Sequence, residues 1–183
     1  MVNQTLSQSK AAAINEDQSS RTEAHNQYLT FFMAEEEYGV DILCVQEIRG
    51  WESATPLPNA PKHIKGVINL RGTIVPIVDL RQCFGMQGIE YSAVTVVIVL
   101  KVQHQRGSRV MGIVVDAVSD VYTLTEEEMR AAPDLGDDAE KNSIRGLATV
   151  NNRMVILLNI DQLLRFDELP NLADLKDQIF NEE

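Results

Sequence analysis

The 183-residue sequence predicts a mostly β fold of two small barrels packed side by side, with short helices and a helix at the C-terminus. Three observations carry this expectation. The stretch from Gly66 to Gln82 returns without a gap from Gly146 to Gln162, and Gly66/Gly146, Val75/Val155 and Gln82/Gln162 are identical. Each copy sets two short apolar runs around a tight-turn dipeptide, Arg71-Gly72 in one and Asn151-Asn152 in the other. Gly and Asn tolerate the positive φ of a two-residue hairpin turn. Each copy then reaches a helix start, with Asp79 and Asn159 as N-caps and Gln82 and Gln162 three places on, where they close a capping box. Val78 with Cys83, and Leu158 with Leu163, stand at staple positions.

An upstream echo extends the repeat. Tyr38-Gly39-Val40 runs into Val45-Gln46-Glu47-Ile48, and Met111-Gly112-Ile113 runs into Val118-Ser119-Asp120-Val121. This pair is offset by 73 residues and the first by 80, so the second half needs a connection longer by 7 residues. A duplicated plan of this kind places two similar units side by side with a groove between them.

The elements follow in order. Residues 1–27 hold almost no large apolar groups and read as a disordered polar tail. Residues 28–33 and 38–42 form a hairpin across a turn at 35–37. Residues 43–49 fit either a strand or a short helix. Residues 51–61 hold three prolines and form a loop, followed by the first repeat hairpin and its helix to about Phe84. Residues 94–102 and 110–118 are β-branched strands with few polar groups, the pattern of strands buried on both faces, joined by a polar turn at 103–109. Thr125-Glu126-Glu127-Glu128 is a capping box, with Leu124 and Met129 as its staple, and predicts a helix of about two turns before Pro133. Residues 134–142 are an acidic loop, and the second hairpin and helix run to about Arg165. Leu172, Leu175 and Ile179 share one face of a terminal helix over 168–183, capped near Asn171. The sum is about ten strands, arranged in sequence as units over 28–85 and 94–165 within a domain over 28–167. The two halves can also exchange a strand. Ten short strands in two like units suit two small barrels.

Composition narrows function. A net charge of −11 and a pI near 4.7 oppose the counterion release that non-specific nucleic-acid binding relies on, and oppose docking on anionic lipid. Five per cent aromatic content leaves few stacking platforms for single-stranded nucleic acid. Cys44 and Cys83 stand alone in apolar contexts and read as reduced core cysteines. The polar N-terminus does not read as a signal peptide, and the longest apolar run, 94–100, is too short for a bilayer. The expectation is a cytoplasmic protein without membrane insertion.

Catalytic chemistry is not visible. The sequence has neither a phosphate-binding Gly loop nor a dinucleotide fingerprint. His25, His63 and His104 are scattered, and no His, Cys and Asp grouping has metal-ligand spacing. No serine sits in a nucleophile elbow. Asp41, Asp79 and Asp116 lie near strand ends, and Asp79 already serves as a cap. A non-catalytic binding module without metal or cofactor is the simplest reading.

Four strings then point further. Residues 37–43, 45–50, 64–81 and 112–121 resemble the CheW family of chemotaxis coupling proteins. The resemblance covers about 27–165, and its longest string is 64–81. It implies two five-stranded SH3-like barrels. It also implies a cytoplasmic scaffold, recruited to membrane-associated arrays, that links chemoreceptors to the histidine kinase CheA. An alternative is a CheW-like adaptor of a pilus or surface-motility pathway. The family places the receptor's cytoplasmic hairpin tip in the groove between the barrels and the kinase's regulatory domain against barrel ends. Its receptor-facing pattern falls here on Val45, Glu47, Ile48, Gly66 and Arg71, with Gly112, Val118 and Val121 in the echoed segment. It further implies that Glu47 and Arg71 meet. By pattern alone Val45 and Ile48 suit a barrel interior as well as a surface, Glu47 and Arg71 suit any solvated face, and Gly66 and Gly112 suit a bulge or close strand packing.

Overall fold

The structure, a computed structural model, describes residues 26–133 and 143–165. The expected polar tail (save Asn26 and Gln27), the acidic loop and the C-terminal helix lie outside the described residues. Eleven strands are present among those described: β1 (Gln27–Met33), β2 (Glu36–Asp41), β3 (Val45–Gly50), β4 (Ile64–Leu70), β5 (Thr73–Asp79), β6 (Val96–His104), β7 (Gly107–Val115), β8 (Ala117–Thr123), β9 (Met129–Ala131), β10 (Ile144–Val150) and β11 (Arg153–Leu158). Helix α1 (Leu80–Cys83) follows β5, and α2 (Ile160–Leu163) follows β11. A 3-10 turn at Ile42–Cys44 joins β2 to β3, so the ambiguous segment 43–49 is a short helical turn and then a strand.

The strands form two sheets. One has the order β8-β1-β2-β11-β10-β9 and the other β3-β6-β7-β5-β4. The sheets cut across the halves 28–85 and 94–165. Hairpin β1–β2 sits between β8 and β11 of the second half, and hairpin β6–β7 sits between β3 and β5 of the first half. Each sheet therefore repeats one plan: a foreign hairpin, a third strand on one flank, and the capped hairpin on the other. The parallel contacts correspond, with Ile156 beside Tyr38 in one sheet and Val78 beside Ile113 in the other. Both capped hairpins also carry a bulge at the same place, between Ile64 and Gly66 and between Ile144 and Gly146.

Chain continuity rolls each sheet up. Beyond β3, the Trp51 amide donates to the Thr95 carbonyl. Thr55 and Val67 then exchange backbone bonds of 2.8 and 2.9 Å, which ties the end of the β3 segment to β4. In the other sheet, β9 follows β8 and pairs with β10. The strand that closes each barrel passes directly over the bulge glycine. A Cβ on Gly66 would lie 2.1 Å from the Thr55 carbonyl oxygen, and one on Gly146 would lie 2.6 Å from that of Arg130. The two identical glycines thus answer one backbone requirement.

Period-2 alternation sorts the side chains. Leu29, Phe31 and Val40 from one sheet meet Ile98, Met111 and Ile113 from the other in a shared core, closed by Leu80 of α1 and Ile160 of α2. The opposite faces fill the barrels, with Tyr28, Val155 and Leu157 in one and Ile77, Val97 and Val99 in the other. Strands β6 and β7 are buried on both faces over most of their length, as their composition requires.

Both turn dipeptides take positive φ at both positions, 51° and 84° at Arg71-Gly72 and 50° and 62° at Asn151-Asn152. The Asp79 and Asn159 carboxyl and amide oxygens accept from the Gln82 and Gln162 amides, as N-caps do. The reciprocal half of each predicted capping box is absent. The cap amides instead donate to the His63 and Ser143 carbonyls, both at 2.7 Å, and the Gln82 side chain accepts from Lys65. The strand entering the bulge outcompetes the glutamine because its carbonyl is already fixed in place.

The helix expected from Thr125 is corrected. The Glu128 carboxylate does accept from the Thr125 amide at 2.9 Å, but the chain makes only one turn and then enters β9, which pairs with β10. The staple residues are also redirected, for Leu124 and Met129 pack inside the barrel. Tertiary strand pairing overrides the local helix signal.

Candidate functional site

The residues singled out by the sequence fall on two flanking strands, at one exposed hairpin turn and at two buried strand glycines. Among the described strands, β3 flanks its sheet and is paired only with β6. Its bulge, between the Val45–Leu100 and Glu47–Val99 pairs, breaks strict in-out alternation. Val45 leans on the shared core, whereas Ile48 is 47% exposed. An isoleucine left that far in water on a flanking strand is surface available to an apolar partner.

Beside it, Arg71 from the β4–β5 turn donates to Glu47 Oε2 at 3.0 Å. The two side chains are 78% and 27% exposed, so the pair is worth about 0–1 kcal/mol and fixes orientation more than stability. The turn that presents Arg71 is braced by Asn69, whose Oδ1 accepts from the Gly72 amide at 2.8 Å. Arg49 completes the cluster, 3.9 Å from Glu47 and 2.9 Å from Glu52. Neither Asn69 nor Arg49 is among the sequence-derived candidates. Their signals are the Asn three residues before the turn Gly, and the two-residue spacing that puts Glu47 and Arg49 on one strand face.

The second strand is β8, which flanks the other sheet. Val118 packs on the same shared core as Val45, and Val121 is 44% exposed. The chain crosses from one sheet to the other at Ile42–Cys44 and back at Asp116, so β3 and β8 both leave from the seam between the barrels. Gly66 and Gly112 are buried in strands and offer no side-chain surface. Gly66 has φ +134° under the Thr55 carbonyl, and a Cβ on Gly112 would lie 2.6 Å from Ile77 Cδ1 and 3.0 Å from Val97 Cγ1. Both act through backbone packing. The structure thus joins Glu47 and Arg71 directly, sets Val45 and Val118 on one core, and leaves Ile48 and Val121 in solvent.

The seam is tied by a polar clasp. Asp116, just after β7, receives Arg81 Nη2 at 2.6 Å and Nε at 2.8 Å, and it receives the Ala34 amide of the β1–β2 turn at 2.7 Å. Burial alone would push the Asp116 carboxyl up. The hydrogen bonds from Arg81 and Ala34, with the Arg81 charge, outweigh burial and hold the carboxyl below its ordinary value. Asp79 shows a second buried arrangement, in which its carboxylate caps α1 and also accepts from the Tyr91 hydroxyl. Burial first, and then this bond to Asp79, raise the Tyr91 hydroxyl far above its usual range.

Among the described residues, no group of three His, Cys, Asp or Glu is placed to hold a metal ion, and no helix is long and apolar enough to cross a membrane. A hollow of about 430 Å³ lies between α1 and α2, lined by Cys83, Phe84, Gln162 and Leu163 among others. The groups with displaced ionisation, such as Tyr91 and Asp116, lie elsewhere. What the geometry offers is two flanking strands at one seam, each with an exposed branched apolar residue, and one of them carrying an acid–base pair.

Residues 27–168 match the family model described as CheW-like domain. The chain is 50% identical over 143 residues to the chemotaxis protein CheW of Klebsiella aerogenes, covering 78% of this chain and 84% of that protein. It is 39% identical over 147 residues to the chemotaxis protein CheW of Rhizobium meliloti, covering 80% and 92%. The crystal structure of the scaffolding protein TtCheW from Thermoanaerobacter tengcongensis superposes with a TM-score of 0.70 at 30% identity, covering 80% of this chain and 97% of that one.

Proposed function

The chain belongs to the CheW family of chemotaxis scaffold proteins, and from that membership we propose that it couples chemoreceptors to the histidine kinase CheA in the cytoplasm, binding both without catalysing a reaction. The receptor's cytoplasmic hairpin tip docks along the seam between the barrels, on Val45, Glu47 and Ile48 of β3 and on Val118 and Val121 of β8. The observation that carries this reading is the Arg71–Glu47 bond at 3.0 Å next to an Ile48 left 47% exposed.

An amphipathic helix laid on this surface would bury Ile48 and Val121 against its own apolar stripe. Burying an exposed aliphatic side chain contributes about 1.5–3 kcal/mol at most. The Glu47–Arg71 pair sits at the rim, where charge selects partner and register more than it adds affinity. Gly66, Arg71 and Gly112 have distinct parts: Arg71 holds Glu47 in place, and the two glycines let the strands beneath pack closely enough to shape the seam. The regulatory domain of CheA binds at barrel ends, away from the seam, so both partners are held at once.

Charge reversal tests the docking surface. Glu47→Lys and Arg71→Glu are each expected to weaken binding of a receptor cytoplasmic fragment by about tenfold. Melting temperatures should stay within about 2 °C of the unmodified chain, since an exposed pair carries little stability. A pull-down in which both variants retain unmodified binding would remove the assignment.

A further inference from the structure

The duplicated plan carries the docking strand twice, and only one copy has its charge satisfied. Val45, Gln46, Glu47 and Ile48 align with Val118, Ser119, Asp120 and Val121 at a constant offset of 73 residues. The same bulge interrupts both strands. In β3 the pairing shifts between Val45–Leu100 and Glu47–Val99, and in β8 it shifts between Val118–Phe31 and Val121–Leu29. Asp120 is therefore the structural counterpart of Glu47.

The position is held from beneath. Where Val99 lies opposite Glu47, the β8 bulge sets Ser119 and Asp120 against Thr30, which is completely buried. Its hydroxyl donates to the Asp120 carbonyl at 3.1 Å and accepts from the Asp120 amide at 3.2 Å. One buried hydroxyl thus fixes both backbone groups of the bulge and leaves the carboxylate outside, beside the exposed Val121. Among the described residues that carboxylate receives only the adjoining Val121 amide, at 2.7 Å. Glu47 has Arg71 from the β4–β5 turn, but the aligned residue in the β10–β11 turn is Asn151. Among the described residues Asp120 has no cation within ion-pair distance.

We propose that Asp120 is the second acidic contact of the docking surface and that it receives a lysine or arginine from the partner helix. This rests on the receptor-docking reading above. A helix that sets its apolar stripe on Val118 and Val121 draws its polar flank over Asp120 and strips water from it. An acid desolvated in this way destabilises the complex unless a cation takes the place of the water. On β3 the chain supplies that cation itself; on β8 the partner must. The surface is thus asymmetric in charge although symmetric in shape, and this asymmetry orients the partner across the seam.

The test is calorimetric titration of the full chain with a receptor cytoplasmic fragment, comparing Asp120→Lys, Asp120→Asn, Ser119→Lys and Glu47→Lys. Asp120→Lys should weaken binding about tenfold and Asp120→Asn about threefold, because like charges brought together are rejected more strongly than a lost pair. Ser119→Lys adds the same charge one residue away and should stay within about twofold. Replacing the apposed basic residue of the fragment by Glu should recover most of the loss in Asp120→Lys, which a merely structural role would not allow. If Asp120→Lys binds normally while Glu47→Lys does not, the role of Asp120 is wrong and the docking surface stands. If both bind normally, the docking surface itself is wrong. Should Asp120→Lys fail to fold, the isosteric Asp120→Asn decides, and unmodified binding by it overturns the proposal.

Discussion

Gly66→Ala is expected to lower the unfolding free energy by about 3–5 kcal/mol. Two costs combine. The backbone at Gly66 has φ +134°, a region that an L side chain rarely adopts. The added Cβ would also stand 2.1 Å from the Thr55 carbonyl oxygen and 2.6 Å from its carbon, both main-chain atoms that cannot swing aside. Relief requires lifting the segment that closes the barrel, and with it the paired bonds between Thr55 and Val67. Gly72→Ala is the matching control. Gly72 also has positive φ, 84°, but nothing lies within 4 Å of its Cβ position, so a loss of about 1 kcal/mol is expected. Denaturant titration of both variants separates the two costs. Equal losses would mean that the crossing of Thr55 over Gly66 does not matter. A domain of this size has about 5–15 kcal/mol in all, so Gly66→Ala should leave a marginal fold whose receptor binding falls for structural reasons alone.

Asp116→Ala should cost about 2–4 kcal/mol at neutral pH. The carboxylate takes two bonds from Arg81 and one from the Ala34 amide, and the side chains of Asp116 and Arg81 are only 21% and 15% exposed. Its removal leaves a guanidinium and an amide short of partners at the seam, beside a shared core whose contacts are apolar and non-directional. The effect should depend on pH with a defined sign. The folded carboxyl lies below its ordinary value of 3.8, so its contribution is complete above that value and is lost as pH falls through the folded one. The stability difference between the unmodified chain and Asp116→Ala should be flat from about pH 5 to 8 and shrink below about pH 4. A difference that persists unchanged at pH 2.5 would show that the ion pair is not its source.

Local chemistry was the most legible part of this chain. The positive-φ dipeptides 71–72 and 151–152, the caps Asp79 and Asn159, and the repeated Gly66 and Gly146 each follow from a few neighbouring residues, and each is where the pattern puts it. Pairing between distant strands was not legible. Nothing local tells hairpin β1–β2 to lie beside β11 and not β5, because the two capped hairpins offer nearly the same edge. The Thr125 box shows the same limit, since it forms its hydrogen bond and then gives way to the β9–β10 ladder. Of the candidate surface, the Glu47–Arg71 pairing was implied by family resemblance and not by spacing; the two stand 24 positions apart, with no periodic signal linking them. The Arg81–Asp116 clasp was invisible for the same reason, with its partners 35 positions apart. The echo at an offset of 73 already sets Asp120 against Glu47 in the sequence, but that Asp120 has no cation beside it among the described residues shows only in three dimensions.

Reconstitution of kinase activity tests the scaffold most directly. CheA, a receptor cytoplasmic fragment assembled on vesicles, and this chain should co-sediment, and receptor-dependent control of CheA autophosphorylation should appear only when all three are present. Omitting the chain should return the kinase to its uncoupled rate, and Glu47→Lys should do the same while still binding CheA. Equal receptor control with and without the chain would contradict the account.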